Sequence, residues 1–292
     1  MSDSYYGRPI LKEPVWTWEI PVYFFFGGMA GAAAPFALLS ELRGDEALAR
    51  RAWLVALAGV AASPPLLIAD LGRPERFHHM LRVLKPTSPM SVGSWILGAS
   101  STAVAFANAR SLFGWFPRLG RLAGATAVLG PALSTYTAVL MADTAIPVWH
   151  EARGELPFVF ASGAAMSAGS AMALIGAGAP ARRLALVGAA GELASTTIME
   201  GRLGPLGEPY HEGAAGRAAR AAKALTAAGA LMMALGGRRR AGTVAGGALM
   251  LAGALGTRWS VYKAGFQSAA DPKYVVEPQR ARMAARAEAS AR

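Results

Sequence analysis

Apolar runs long enough to cross a bilayer recur along nearly the whole chain, and they leave few folds open to it. Hydrocarbon takes roughly 20 residues to span. Successive runs fall near Trp18 to Ser40, Arg50 to Ala69, Met90 to Ala109, Leu122 to Ala142, Leu156 to Ala179, Leu184 to Met199, Ala218 to Leu235 and Thr243 to Tyr262. The expectation is an all-α integral membrane protein of about eight transmembrane helices, which two four-helix bundles would accommodate. The sixth and seventh runs are short and each holds a charge, Glu192 and Lys223, so tilting, interruption or extension beyond the apolar stretch is expected there. Residues 1–265 read as one polytopic membrane domain and residues 266–292, rich in Ala, Arg and Glu, as a polar tail.

Composition agrees and excludes several classes. Charged residues make up 16% of the 292 positions and hydrophobic ones 53%, where soluble domains carry about 25% charge. The net charge of +11 comes from arginines scattered over the loops with no nucleic-acid motif around them, so topology explains it and no nucleic-acid partner is expected. Cysteine is absent, which rules out disulfides and places any iron–sulfur cluster on another chain. All four histidines, 78, 79, 150 and 211, fall in loops. That argues against haem held between facing helices, and no metal site is expected.

The first run follows a polar stretch with Trp16 and Trp18 and has no small-residue cleavage site behind it, so no removable signal peptide is read. The short loops hold Arg43, Arg50, Arg51, Arg110, Arg118, Arg121, Arg182, Arg183, Arg238, Arg239 and Arg240 against Glu41, Asp45 and Glu46. By density that face is cytoplasmic and both termini are outside. By raw count the opposite face has more Lys and Arg, because its loops are longer. The Arg, Ala and Gly bias fits a GC-rich bacterial genome, hence a bacterial inner (plasma) membrane.

Within this frame a few residues stand out for chemistry. DLGRPERFHHMLRVLKPTSPMSVGSW, residues 70–95, puts an acid, arginines and two histidines at one bilayer face. Adjacent His78 and His79 point two ways on a helix, which suits a polar subunit interface better than one shared metal. Gly27 and Gly31 form a small-residue face for a close helix neighbour, and Pro64 and Pro65 must bend the second span just before Asp70. Glu19, Tyr23 and Phe26, spaced by four and three, share one helix face at the boundary. They read as an interfacial anchor or as a carboxylate and phenol beside apolar walls, the chemistry a quinone head group needs. Tyr136, at depth beside Ser134 and Thr135, is suited to bonding a ligand carbonyl. Glu192, Thr196 and Glu200 follow at four-residue spacing and line one face. They read as a proton path, or Glu192 is half of a buried ion pair with Arg258 or Lys223.

WTWEIPVYFFFGGMAGAA at 16–33, the 70–95 segment, YTAVLMADTAIPVWHE at 136–151 and RWSVYKAGF at 258–266 together resemble the polysulfide reductase membrane-subunit (NrfD/PsrC) family. The resemblance is dense in the first half and thin in the second. It implies an eight-helix, haem-free subunit that exchanges electrons between a quinone, menaquinone or ubiquinone, and a ferredoxin-like iron–sulfur subunit. That subunit is attached in turn to a molybdopterin oxidoreductase or a multihaem cytochrome. The family's quinone sites near the first and fourth spans implicate Glu19, Tyr23, Asp70, Arg73 and Tyr136, with Glu19, Tyr136 or Asp70 exchanging protons. The long-loop face, with Arg73, Arg76, His78, His79, Trp149, His150 and His211, is expected to dock the iron–sulfur subunit. Two rivals remain: a solute or ion transporter with Glu192 and Glu200 lining its path, and a passive anchor without quinone chemistry.

Overall fold

The computed structural model describes residues 9–236 and 239–290. Arg238, one of the arginines weighed for orientation, and the two chain ends lie outside the described residues. Among those residues the protein is helical with no strand. Its long columns are α1 (Glu19–Leu42), α2 (Glu46–Ala69), α3 (Pro89–Phe113), α4 (Pro117–Ala142), α5 (Leu156–Leu174), α6 (Gly178–Leu203), α7 (Gly213–Gly236) and α8 (Arg240–Ala270), followed by α9 (Lys273–Ser290). Six of them, α1 to α5 and α7, are long and apolar enough to cross a membrane. The other two are no shorter, but α6 carries Arg182, Arg183, Glu192, Glu200 and Arg202, and α8 carries Arg258 and Lys263. The expected sixth and seventh runs do extend beyond their apolar stretches, to 26 and 24 residues. The boundary expected at residue 265 falls inside α8, which continues to Ala270 before the tail forms α9.

Local chemistry sets the helix ends. Asp45 caps α2 by accepting the Leu48 N–H at 2.9 Å, satisfying one of the donors a helix start leaves open. Ser88 and Pro89 open α3, and Gly114 at φ 71° closes it in the left-handed conformation that glycine adopts without steric cost. Pro64 and Pro65 lie within α2, where Ser63 Oγ donates to the Gly59 carbonyl at 2.8 Å, and the helix ends at Ala69. α4 tightens into a 3₁₀ turn over Thr126–Leu129 just before Pro131.

α1 and α5 are the most enclosed of the six apolar columns. α1 packs on α2, α4, α5 and α8, and α5 packs on α6 and α8 as well. Close approach is possible because small residues sit at the crossings: a methyl group on Gly31 would lie 2.6 Å from the Gly130 carbonyl of α4, and one on Gly59 would lie 2.6 Å from the Phe26 carbonyl of α1. At the short-loop end Glu41 joins three helices, accepting from the Trp53 indole at 2.6 Å and pairing with Arg110.

Candidate functional site

At the long-loop end the segment before α1 crosses over the helix ends and is held from two sides. The Thr17 backbone N–H donates to Asp70 Oδ1 at 2.7 Å, and Tyr262 of α8 donates its hydroxyl to the Trp16 carbonyl at 2.7 Å. Trp16 stacks on Trp149 at 5.3 Å between ring centroids and meets Phe24 edge-on. Beneath this strap lies a cavity of about 60 Å³. Its walls are Trp16, Ile20, Tyr23 and Phe24 from the first span, Leu67, Asp70 and Leu71 at the end of α2, Met80, Met90 and Ser94 from the following loop and α3, and Tyr136 and Leu140 of α4.

Three of the residues singled out in the sequence, Tyr23, Asp70 and Tyr136, thus share one cavity although they come from three helices. Tyr23 is 2% exposed and its hydroxyl has no hydrogen-bond partner. A buried hydroxyl normally finds one, and leaving it without costs roughly 1–3 kcal/mol. The Tyr136 ring lies against Gly93 of α3, where a methyl group would overlap it. Glu19 is outside the cavity wall and reaches it through Thr17, whose Oγ1 is in hydrogen-bond contact with Glu19 and, at 2.6 Å, with Asp70 Oδ1. Arg73 does not line the cavity and is exposed on the loop. Trp16, Thr17 and the two methionines are site residues that sequence reasoning missed. Only Trp16 and Thr17 carried a signal, their place in the WTWE motif.

A second polar cluster is buried between α5, α6 and α8. Glu192 and Arg258, each 2% exposed, face each other at 3.7 Å. Thr257 donates to Glu192 Oε1 at 3.0 Å, while Arg258 donates to the Phe160 carbonyl at 2.8 Å and lies over its ring. Gly163 of α5 leaves room for this pair, since a methyl group there would run into both side chains. Thr196 turns its hydroxyl back to the Glu192 carbonyl at 2.7 Å. Glu200, one turn further on, binds Lys223 at 2.6 Å and has His211 at 4.0 Å. Of the two readings left open for Glu192, this geometry supports the ion pair with Arg258. A gap of about 10 Å³ between Thr196, Thr257, Glu200 and Tyr210 has room for about one water. The buried Tyr210 hydroxyl beside it is held protonated, its pKa pushed up by burial first and by Glu200 second.

The long-loop face itself is polar. Arg73, Arg76, His78, His79, His150 and His211 are all exposed on it. The rings of His78 and His79 do not diverge, as expected of an α-helix; on the 3₁₀ helix Pro74–Leu81 they meet edge to face at 4.4 Å. Trp149, in contrast, takes no place on this face. It is 1% exposed, donates to the Val261 carbonyl at 2.7 Å and packs on Trp16. The tail is clipped to the same end: Lys273 and Tyr274 of α9 bind Glu208 at 2.7 and 3.1 Å. The Lys273 and Tyr274 hydrogen bonds hold the Glu208 carboxyl below its usual range.

The family model for polysulphide reductase, NrfD, matches residues 10–185. No curated protein matches the chain. More than half of the chain lies in the match, which contains every wall of the cavity beneath Trp16, so the chain belongs to the polysulphide reductase NrfD family and is an all-α membrane protein.

Proposed function

We propose that this NrfD-family membrane protein is the haem-free, quinone-reactive subunit of a multisubunit oxidoreductase. In this role it passes electrons between menaquinone or ubiquinone and a ferredoxin-like iron–sulfur partner joined to a molybdopterin enzyme or a multihaem cytochrome. One observation carries the reading: the buried Tyr23 hydroxyl has no hydrogen-bond partner, and Tyr23 lines a cavity shared with Asp70 and Tyr136. Among the described residues nothing satisfies it, and a head-group carbonyl oxygen would.

Interconversion of quinone and quinol moves two electrons and two protons. Tyr23 and Tyr136 would hold the carbonyl oxygens by donating hydrogen bonds, with the Phe24, Leu67 and Leu140 side chains as the apolar walls. Asp70 would take or give the two protons one after the other. Thr17 would pass each between Asp70 and Glu19, and Thr17 is exposed, so both would reach bulk water without crossing the membrane. The cavity is smaller than the roughly 300 Å³ of an ordinary ligand pocket. Met80 and Met90 are flexible side chains, and turning them aside enlarges the space without moving a helix. Leu81, next to Met80, and Trp95, next to Ser94, border an apolar groove of about 630 Å³ between α3 and α4. An isoprenoid tail would lie there.

Docking of the iron–sulfur partner is assigned to the long-loop face, on Arg73, Arg76, His78, His79, His150 and His211. Charge reversal at Arg73 and Arg76 should strip that partner from membranes. The line from Glu192 past Thr257 to Glu200 has the spacing of a second proton route, but its Glu192 end is held by Arg258. The test of the quinone reading is turnover in the assembled complex. Asp70→Asn and Tyr136→Phe are each expected to lower quinone turnover about ten-fold or more while partner subunits co-purify in normal amount. Wild-type quinone kinetics in both assembled variants would overturn it.

A further inference from the structure

We propose that the opposite, short-loop end of the molecule holds an anionic phospholipid in a cleft between α2 and α5. The cleft has a volume of about 950 Å³, at the upper end of the range for ligand pockets, and it is lined by two kinds of residue at two depths. Its mouth carries Arg50 and Arg51, with Glu46 one turn before them. Further into the membrane it is bounded by Leu54, Val55 and Ala58 and, across the cleft, by Met29 of α1 and Ala171 of α5, while Leu174 and Ile175 stand at the end of α5 beside the mouth.

Arg50, Leu54 and Ala58 follow at four-residue spacing, so they lie on one face of α2, and all three are exposed. Eight residues of helix cover about 12 Å. The cleft therefore runs from a charged rim at the membrane boundary along an apolar wall into the hydrocarbon, the shape of a headgroup followed by an acyl chain. The two arginines are also available. Arginines set within the bundle are matched, Arg110 by Glu41 and Arg258 by Glu192, whereas among the described residues neither Arg50 nor Arg51 enters an ion pair. Glu46 offsets one of the two charges and the rim keeps an excess of one. A phosphodiester meets that excess, and guanidinium groups bind its oxygens through paired N–H donors. Basic pockets between membrane helices take anionic headgroups on the same grounds.

A free phosphate would use the arginines alone, whereas a lipid needs the apolar depth as well, so the experiment separates them. The full chain, purified and delipidated in detergent, is titrated with phosphatidylglycerol, with phosphatidylcholine of the same chain length, and with inorganic phosphate, and bound lipid is counted by native mass spectrometry. Phosphatidylglycerol is expected to bind most tightly and inorganic phosphate not at all at the same concentration. Arg50→Gln with Arg51→Gln should weaken phosphatidylglycerol about 30-fold, at about five-fold per arginine, and bring it to the level of phosphatidylcholine. Ala58→Phe fills the deep end, leaves the charges in place and should weaken both lipids, so it tests the cleft even if the double variant misfolds. Equal binding of the two lipids by the wild type, undiminished phosphatidylglycerol binding in the folded double variant or in Ala58→Phe, or inorganic phosphate matching phosphatidylglycerol would each overturn the proposal.

Discussion

Tyr23 and Glu192 are equally sealed from water, at 2% exposure each, and the protein treats them in opposite ways. Glu192 is charge-matched: Arg258 faces it, Thr257 donates to it, and Arg258 in turn is held by the Phe160 carbonyl and ring. Tyr23 lines a cavity, and its hydroxyl has no hydrogen-bond partner. A buried charge is too costly to leave alone, so the fold supplies its partner from another helix. A buried phenol costs less, and a protein can leave one open for a ligand to complete. The contrast separates a polar group paired across helices from one left unpaired beside a cavity.

The largest expected effect tests the matched side. Glu192→Gln strands Arg258 in the interior and should cost roughly 3–5 kcal/mol of stability, read as a lower thermal midpoint of the purified protein. Replacing Arg258 by Met in the same chain should recover part of that loss. A Glu192→Gln protein of normal stability that has lost only proton coupling would move Glu192 to the side of function and dissolve the contrast.

Next is the packing behind the open side. Gly93→Ala places a methyl group where the Tyr136 ring lies and should cost about 1–3 kcal/mol through overpacking, with quinone turnover falling as Tyr136 leaves the cavity. Unchanged stability and turnover would show that Tyr136 is not held where the site needs it.

Tyr23→Phe should move stability and binding in different directions. Removing a hydroxyl that has no partner leaves the thermal midpoint unchanged or raises it slightly, while quinone affinity falls about five-fold, the worth of one hydrogen bond near 1 kcal/mol. A loss of stability instead would mean that the hydroxyl already has a structural partner.

The smallest effect lies at the tail. The Glu208 carboxyl is held below its usual range by Lys273 and Tyr274, so the folded state favours its ionised form. That contribution is complete above the ordinary carboxylate value and is lost as the pH falls through the lowered one. The protection of α9 amides, taken relative to their intrinsic exchange at each pH, should therefore be high at pH 7 and fall in this acid window, and Glu208→Gln should abolish that change. An α9 whose protection ignores both changes is held by other contacts.

What the sequence made legible follows the same division. Polar residues at the ends of apolar runs drew attention to Glu19, Tyr23, Asp70 and Tyr136, because a polar atom in hydrocarbon is expensive wherever it sits. The structure brings Tyr23, Asp70 and Tyr136 to one cavity. For Thr17 only its place in the WTWE motif was legible, since its contact with Asp70 joins residues 53 apart that no periodicity links. Trp149 was misplaced: its neighbours in the DTAIPVWHE stretch are polar, but the short helix Pro147–Glu151 turns Trp149 inward and His150 outward. The position of α8 was legible and its length was not, because Lys263, Gln267 and Ser268 end the apolar run at Tyr262 while the helix continues to Ala270.

The central claim is that the cavity beneath Trp16 is a quinone site. Equilibrium binding of a short-chain quinone to the purified full chain tests it most directly, comparing the wild type with Tyr23→Phe combined with Tyr136→Phe, both checked for an unchanged thermal midpoint. The account predicts a dissociation constant raised about 30-fold, two hydrogen bonds of about 1 kcal/mol each. A folded double variant that binds the quinone as tightly as the wild type would contradict it.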